Sequence, residues 1–106
     1  MLRSDYLDEI SLQFRVHKIC GILGPRQVGK TTLAKAYVEK YKMENALFFD
    51  LENPLDLEKL DSPMTTLSNV PQELIVIDEI QKRPELFPIL RVIVDDVNNK
   101  HKFLIL

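Results

Sequence analysis

Apolar residues in this chain alternate between two rhythms, short unbroken runs and stripes with a spacing of three to four. The runs are Lys18 to Leu23, Ala46 to Asp50, Leu74 to Asp78 and Lys102 to Leu106, and their length and flanking turn residues predict buried strands. The first stripe joins Leu2, Tyr6, Ile10 and Phe14 with Leu7 beside them, which predicts a helix over 4–14. Leu33, Ala34, Tyr37, Val38 and Tyr41 predict a second helix over about 30–42. Leu86, Leu90, Ile93, Val94 and Val97 form a third stripe, which Pro88 confines to a start near Glu85 or Leu86 and which Asn98-Asn99 ends. Between the second and third runs, Asn53-Pro54 followed by Asp56 reads as an N-cap, a first-turn proline and a favourable first-turn charge. A short helix over 54–60 follows. Ser62-Pro63 repeats that signal more weakly for 62–72, a loop or short helix closed by Pro71, and Lys82-Arg83-Pro84 reads as a turn. Strand and helix therefore alternate throughout, which implies an α/β fold with a parallel sheet, right-handed crossovers and helices on both faces.

Candidate chemistry sits at two of the strand ends. Ile22 to Thr32 reads Ile-Leu-Gly-Pro-Arg-Gln-Val-Gly-Lys-Thr-Thr, and Gly24, Gly29, Lys30 and Thr31 fall on the spacing of the phosphate-binding loop called Walker A. The two glycines permit backbone conformations that turn successive N–H groups inward onto a polyphosphate, so the loop from Gly24 through Pro25, Arg26, Gln27, Val28 and Gly29 is a cradle. The helix starting near Lys30 aims unpaired N–H groups and a partial positive charge at the same point. Lys30 adds a full charge for the terminal phosphates, and the Thr31 hydroxyl is the hard oxygen that Mg²⁺ prefers, with Thr32 completing the loop. The second site is Leu74 to Glu79, an apolar run that ends in two acids. Asp78 is a candidate Mg²⁺ ligand and Glu79 could polarise an attacking water. Alone, that pattern is equally a strand meeting an acidic turn; some fifty residues beyond a Walker A loop, it reads as the partner site.

Composition narrows the setting. The chain has 106 residues, 45% of them apolar and 28% charged, as in a soluble globular protein, so one small domain is expected. A net charge of -2 gives no argument for nucleic-acid binding. Its distribution is uneven: residues 1–45 hold eight basic and five acidic side chains, and residues 46–106 hold six and eleven. Arg26, Lys30 and Lys35 cluster at or just beyond the loop, whereas Asp50, Glu52, Asp56, Glu58 and Asp61 mostly read as a solvated face. No run is long enough to cross a membrane, and Met1 to Ile10 lacks a signal peptide's apolar core, so a cytoplasmic protein is expected. Cys20, the single cysteine, reads as a small buried hydrophobe. His17 and His101 stand too far from other ligating groups to suggest a metal site, and His101 beside two lysines reads as a surface turn residue.

GPRQVGKTTL at Gly24 to Leu33, Asp50-Leu51-Glu52 after the second strand, and VIDEIQKRPELFP at Val76 to Pro88 resemble the bacterial and archaeal AAA-type ATPases whose nucleotide domain precedes a second, nuclease-like domain. The resemblance covers about 18–106. It implies the additional-strand P-loop NTPase fold, with the strand at Lys102 inserted between the two motif-bearing strands. It also implies Lys30 and Thr31 as phosphate and Mg²⁺ ligands, Asp78 as the Walker B carboxylate and Glu79 as the catalytic glutamate. Family members are several times longer. The chain accordingly reads as a single incomplete P-loop ATPase domain over 1–106, with 1–17 as an N-terminal helix and lead-in, truncated after the fourth strand. In that topology the first strand lies at the sheet edge, which invites self-association.

The expected function is thus an ATP-binding, Mg²⁺-dependent ATPase domain with weak hydrolysis. An alternative is a nucleotide-gated interaction module or decayed fragment without catalysis. A small-molecule P-loop kinase is less favoured, since Glu79 would be surplus and no arginine-rich lid is visible.

Overall fold

The third strand, β3 (Leu74–Asp78), is apolar on both sides of its pleat, and Leu74 through Ile77 are all buried. A strand of this kind must be covered on both faces and paired along both edges. The computed structural model, which describes residues 3–21, 30–41 and 46–106, provides both. Its four strands are β1 (Ile19–Gly21), β2 (Leu47–Asp50), β3 and β4 (Lys102–Ile105), all parallel and ordered β1-β4-β3-β2. The last strand in sequence is therefore inserted between β1 and β3, as the resemblance implied.

Register sorts the side chains between two layers. Cys20, Leu104 and Val76 lie abreast on one face, and Ile19, Phe103 and Ile75 abreast on the other. The first face carries α1 (Arg3–Val16) and α2 (Lys30–Lys40), whose Leu7, Ile10, Phe14, Ala34 and Tyr37 pack with Cys20, Leu74, Val76 and Leu104. The opposite face carries α3 (Pro54–Lys59), α4 (Pro63–Asn69) and α5 (Leu86–Asp95). There Leu60, Leu67, Leu86, Leu90 and Ile93 meet Phe49, Ile75, Ile77, Phe103 and Ile105. Asp8 ties α1 to α2: it accepts from Lys40 Nζ at 2.8 Å and from the Tyr41 hydroxyl at 3.1 Å, and these bonds hold its carboxyl below the usual range. Tyr37 and Tyr41 stack with their centroids 4.8 Å apart, as core packing.

Local chemistry sets most element boundaries. Asn53 caps α3, its Oδ1 accepting from Leu55 N at 3.0 Å with Pro54 at the first position. Ser62 precedes α4 without a side-chain cap bond, in keeping with its weaker signal. Pro88 stands in the first turn of α5, where its missing N–H would have no helical partner.

Three readings are corrected. The stripe of α5 stops at Val94: Asp96 leaves the helix and its Oδ1 accepts from Asn98 N at 2.8 Å, which puts Val97 in the turn, 94% exposed. His101 is not a simple surface residue. Its Nδ1 donates to the Gln72 carbonyl across 2.8 Å, and Asn99 bonds its backbone on both sides, so it joins the loops that precede β3 and β4. Asp56 is not merely solvated, because its Oδ2 accepts from Asp50 N at 2.8 Å and closes the outer edge of β2. Asp50, Glu52, Glu58 and Asp61 are exposed as expected. Leu2, Ile22 and Leu23 lie outside the described residues, as does the side chain of Tyr6.

Two tests follow from the core. Phe103 is fully buried in the central strand β4, so Phe103→Ala should cost about 3–5 kcal/mol in urea unfolding, enough to leave a domain of this size barely folded. Burial pushes the Cys20 thiol up to about 11 and the Tyr37 hydroxyl up to about 12. Both groups thus bind their protons more tightly when folded, and the stability this gives is complete below about pH 9 and lost as pH rises toward 11 and 12. Urea midpoints should fall over that alkaline range, and Cys20→Ala should blunt the early part of the fall.

Candidate functional site

All four strands point the same way, so their carboxyl ends share one edge of the sheet. That edge holds Gly21 at the end of β1, Asp50 at the end of β2, Asp78 at the end of β3 and Ile105 at the end of β4. Helix α2 begins at Lys30, and its first turn contains no acidic side chain, so its positive end is not neutralised from within. Thr32 is exposed on that turn. The candidate loop residues Gly24, Pro25, Arg26, Gln27, Val28 and Gly29 lie outside the described residues, as do the side chains of Lys30 and Thr31.

Asp78 is half-buried and in register with Asp50 of β2. Leu51 N donates to the Asp78 carbonyl at 3.0 Å and Leu106 N to the Ile77 carbonyl at 3.0 Å, so the end of β3 is held from both sides. By the alternation of the strand, Asp78 shares the face of Val76, the face on which α2 packs. The carboxylate therefore lies on the face of the sheet against which α2 packs. As a donor set this suits Mg²⁺. The oxygens are hard, and among the described residues no three His, Cys, Asp or Glu side chains converge into a cage, whereas Mg²⁺ is commonly held by one or two carboxylates together with substrate phosphates.

Glu79 leaves the strand in the left-handed region, at φ 62° and ψ 41°, the one non-glycine residue with positive φ among those described. For such a residue this conformation costs about 1–2 kcal/mol and persists where the surroundings impose it. They do so here. Lys82 N donates to the Glu79 carbonyl at 3.0 Å, opening a 3₁₀ turn over Ile80–Lys82, and Ile80 drops into the core beneath α5. Glu79 stays 9% exposed, the one charged residue among the buried residues described, and its Oε1 accepts from Gln81 Nε2. Sequence reasoning found the carboxylate but neither the turn nor Gln81, because a Glu-Ile-Gln step carries no glycine or asparagine to announce a left-handed residue. Arg83 is engaged by Glu85, while Arg91 is exposed on α5.

A family model described as an AAA domain matches residues 16–106, from the end of α1 through all four strands. The chain belongs to this AAA family. It is also similar to two mycobacterial proteins named as uncharacterised, Mb2031c of Mycobacterium bovis and Rv2008c of Mycobacterium tuberculosis. Each is 49% identical over 85 residues, which are 80% of this chain and 18% of the relative. The AAA chain thus spans about a fifth of the length of these relatives. No solved structure matches it. Membership assigns the chain to the nucleotide-binding, ATPase type of domain and agrees with a four-stranded parallel sheet flanked by helices. Among the described residues no helix is long and apolar enough to cross a membrane.

The left-handed turn can be checked directly. Glycine is normally less stable than alanine within an ordered segment, but at a left-handed position the order reverses. Glu79→Gly should therefore be more stable than Glu79→Ala by about 1 kcal/mol in urea unfolding, and the usual order would rule out the left-handed backbone.

Proposed function

We propose that this AAA domain binds ATP with Mg²⁺ and hydrolyses it slowly. The observation that carries the reading is the shared carboxyl edge: a half-buried Asp78 and a buried Glu79 end β3 on the sheet edge from which β1 leads toward the start of α2. In this reading the backbone from Gly24 to Thr32 and the Lys30 ammonium bind the phosphates. Thr31 and Asp78 hold Mg²⁺, which supplies charge neutralisation on the phosphate oxygens when bound. Glu79 accepts a hydrogen bond from water and draws off its proton as the water oxygen attacks the γ-phosphorus. The bond from that phosphorus to the bridging oxygen breaks, and ADP carries away the electron pair. Among the described residues Arg83 is already paired with Glu85, and where no arginine reaches the transferring phosphate the rate should be lower by about 10³ to 10⁵.

A thermal melt tests binding. Mg-ATP at about a hundred times its Kd should stabilise the chain by about 2.7 kcal/mol, or roughly 10 to 20 °C, and Lys30→Ala should abolish the shift. Glu79→Gln should keep the shift and lose phosphate release; equal release by this variant and the parent would remove Glu79 from its role. A second reading, a nucleotide-gated module that pairs with another copy, has one observation in its favour. Strand β1 is an outer strand among those described, flanked by a groove of about 710 Å³ whose lining includes Val16, Ile19, Phe87, Pro88 and Val94. A chain that stays monomeric across a concentration series while hydrolysing ATP would argue against this module.

A further inference from the structure

We propose that Gln81 is the positioning residue for the Glu79 carboxylate, holding the plane of that group in the direction from which it meets the attacking water. The proposal rests on the ATPase reading above and deepens it. Three observations converge on it. Gln81 Nε2 donates to Glu79 Oε1, a contact between side chains two residues apart that helix spacing does not bring face to face and that falls here beyond the end of β3. The 3₁₀ turn that creates it is fixed at both ends, by Lys82 N on the Glu79 carbonyl at 3.0 Å and by Arg83 N on the Ile80 carbonyl at 2.9 Å, with Ile80 anchored in the core. Gln81 itself is exposed and belongs to neither hydrophobic cluster.

The contrast between the two partners is what gives the contact a purpose. Glu79 is buried on a left-handed backbone, so its carboxylate plane is not set by ordinary rotamer preferences alone. A donor on one carboxylate oxygen fixes that plane, and a neutral amide does so without placing a cation against the carboxylate. A general base displaced by about 1 Å can lose about 10²-fold in rate, so a side chain with no packing duty can still govern the chemistry. The same exposure makes the test clean, because removing the amide leaves no cavity.

Gln81→Met keeps the length and removes the donor, whereas Gln81→Lys restores an N–H donor of similar reach. Single-turnover hydrolysis, with protein in excess over labelled Mg-ATP, should be about 10- to 100-fold slower in Gln81→Met. Its melting temperature and its Kd for Mg-ATP should stay within about twofold or the experimental scatter of the parent, and Gln81→Lys should recover part of the rate. Independently of hydrolysis, the side-chain amide protons of Gln81 should be shifted and protected in NMR spectra of the parent, and Glu79→Ala should return them to the solvent-exposed position. Parent-like hydrolysis by Gln81→Met overturns the proposal and leaves the ATPase reading standing. A loss of Mg-ATP affinity equal to the loss of rate overturns it too, since the residue would then serve binding. A parent that binds Mg-ATP and releases no phosphate sinks the reading of Glu79 as the base, and the proposal with it, even if the amide protons are protected.

Discussion

Burial of β3 from every side is the constraint on which the rest of this structure depends. A backbone that gives up water on both faces must find all its hydrogen bonds in neighbouring strands, and apolar side chains on both sides of the pleat must find two separate layers. Leu74 and Val76 require α1 and α2; Ile75 and Ile77 require α4 and α5. Pairing along both edges requires β2 on one side and β4 on the other. Once these conditions are met, Leu51 N and Leu106 N hold the carboxyl end of β3 from both sides, and Asp78 stands on it.

The two layers do different work at that end. On one face, α2 packs over the side of the sheet that Asp78 shares with Val76, and Asp8, Lys40 and Tyr41 hold α1 against it through exposed polar contacts that add alignment more than stability. On the other face, the 3₁₀ turn after Glu79 sends Ile80 into the cluster beneath α5, which fixes the backbone from below. The outer edge of β2 is closed differently. Asp50 N gives its hydrogen to Asp56, and Asn53 N donates to the Asp50 carbonyl at 2.9 Å, so α3 completes the bonding that another strand would otherwise supply.

What the sequence revealed depended on how local the governing chemistry was. Asn53 and Pro54 announced α3 because a cap and a first-turn proline act within one turn. Leu74 to Asp78 could be bounded because five successive residues share one buried environment. The position of β4 in the sheet came from family resemblance and not from any pattern in Lys102 to Leu106, since strand order is set by contacts far apart in the chain. The same distance hid the roles of His101 and Asp56. His101 is linked to Gln72, 29 positions away. Asp56 could be read as a helix-start charge, but its bond to Asp50 N depends on how α3 folds back on β2. Val97 continued a stripe on paper, yet Asp96 offered its own oxygen to Asn98 N and ended the helix first.

Glu79 was legible as a carboxylate at a strand end but not as a residue in conflict with its surroundings. A charged side chain is costly to bury, and a side chain of any kind is disfavoured on a left-handed backbone. Stability alone would favour glycine, or asparagine as a milder choice, at such a turn. Glutamate there combines both costs at one position, next to the half-buried Asp78 and above a turn whose Ile80 packs into the core. Such a local violation of propensity inside a consistent fold is expected where chemistry sets the residue. Gln81 then has a physical reason to be present. A buried carboxylate needs a donor, and one from a neighbouring turn stabilises the charge while directing it. The strain at Glu79 and the amide at Gln81 are in this view two parts of one arrangement, in which the backbone turn aims the side chain and the amide fixes its plane.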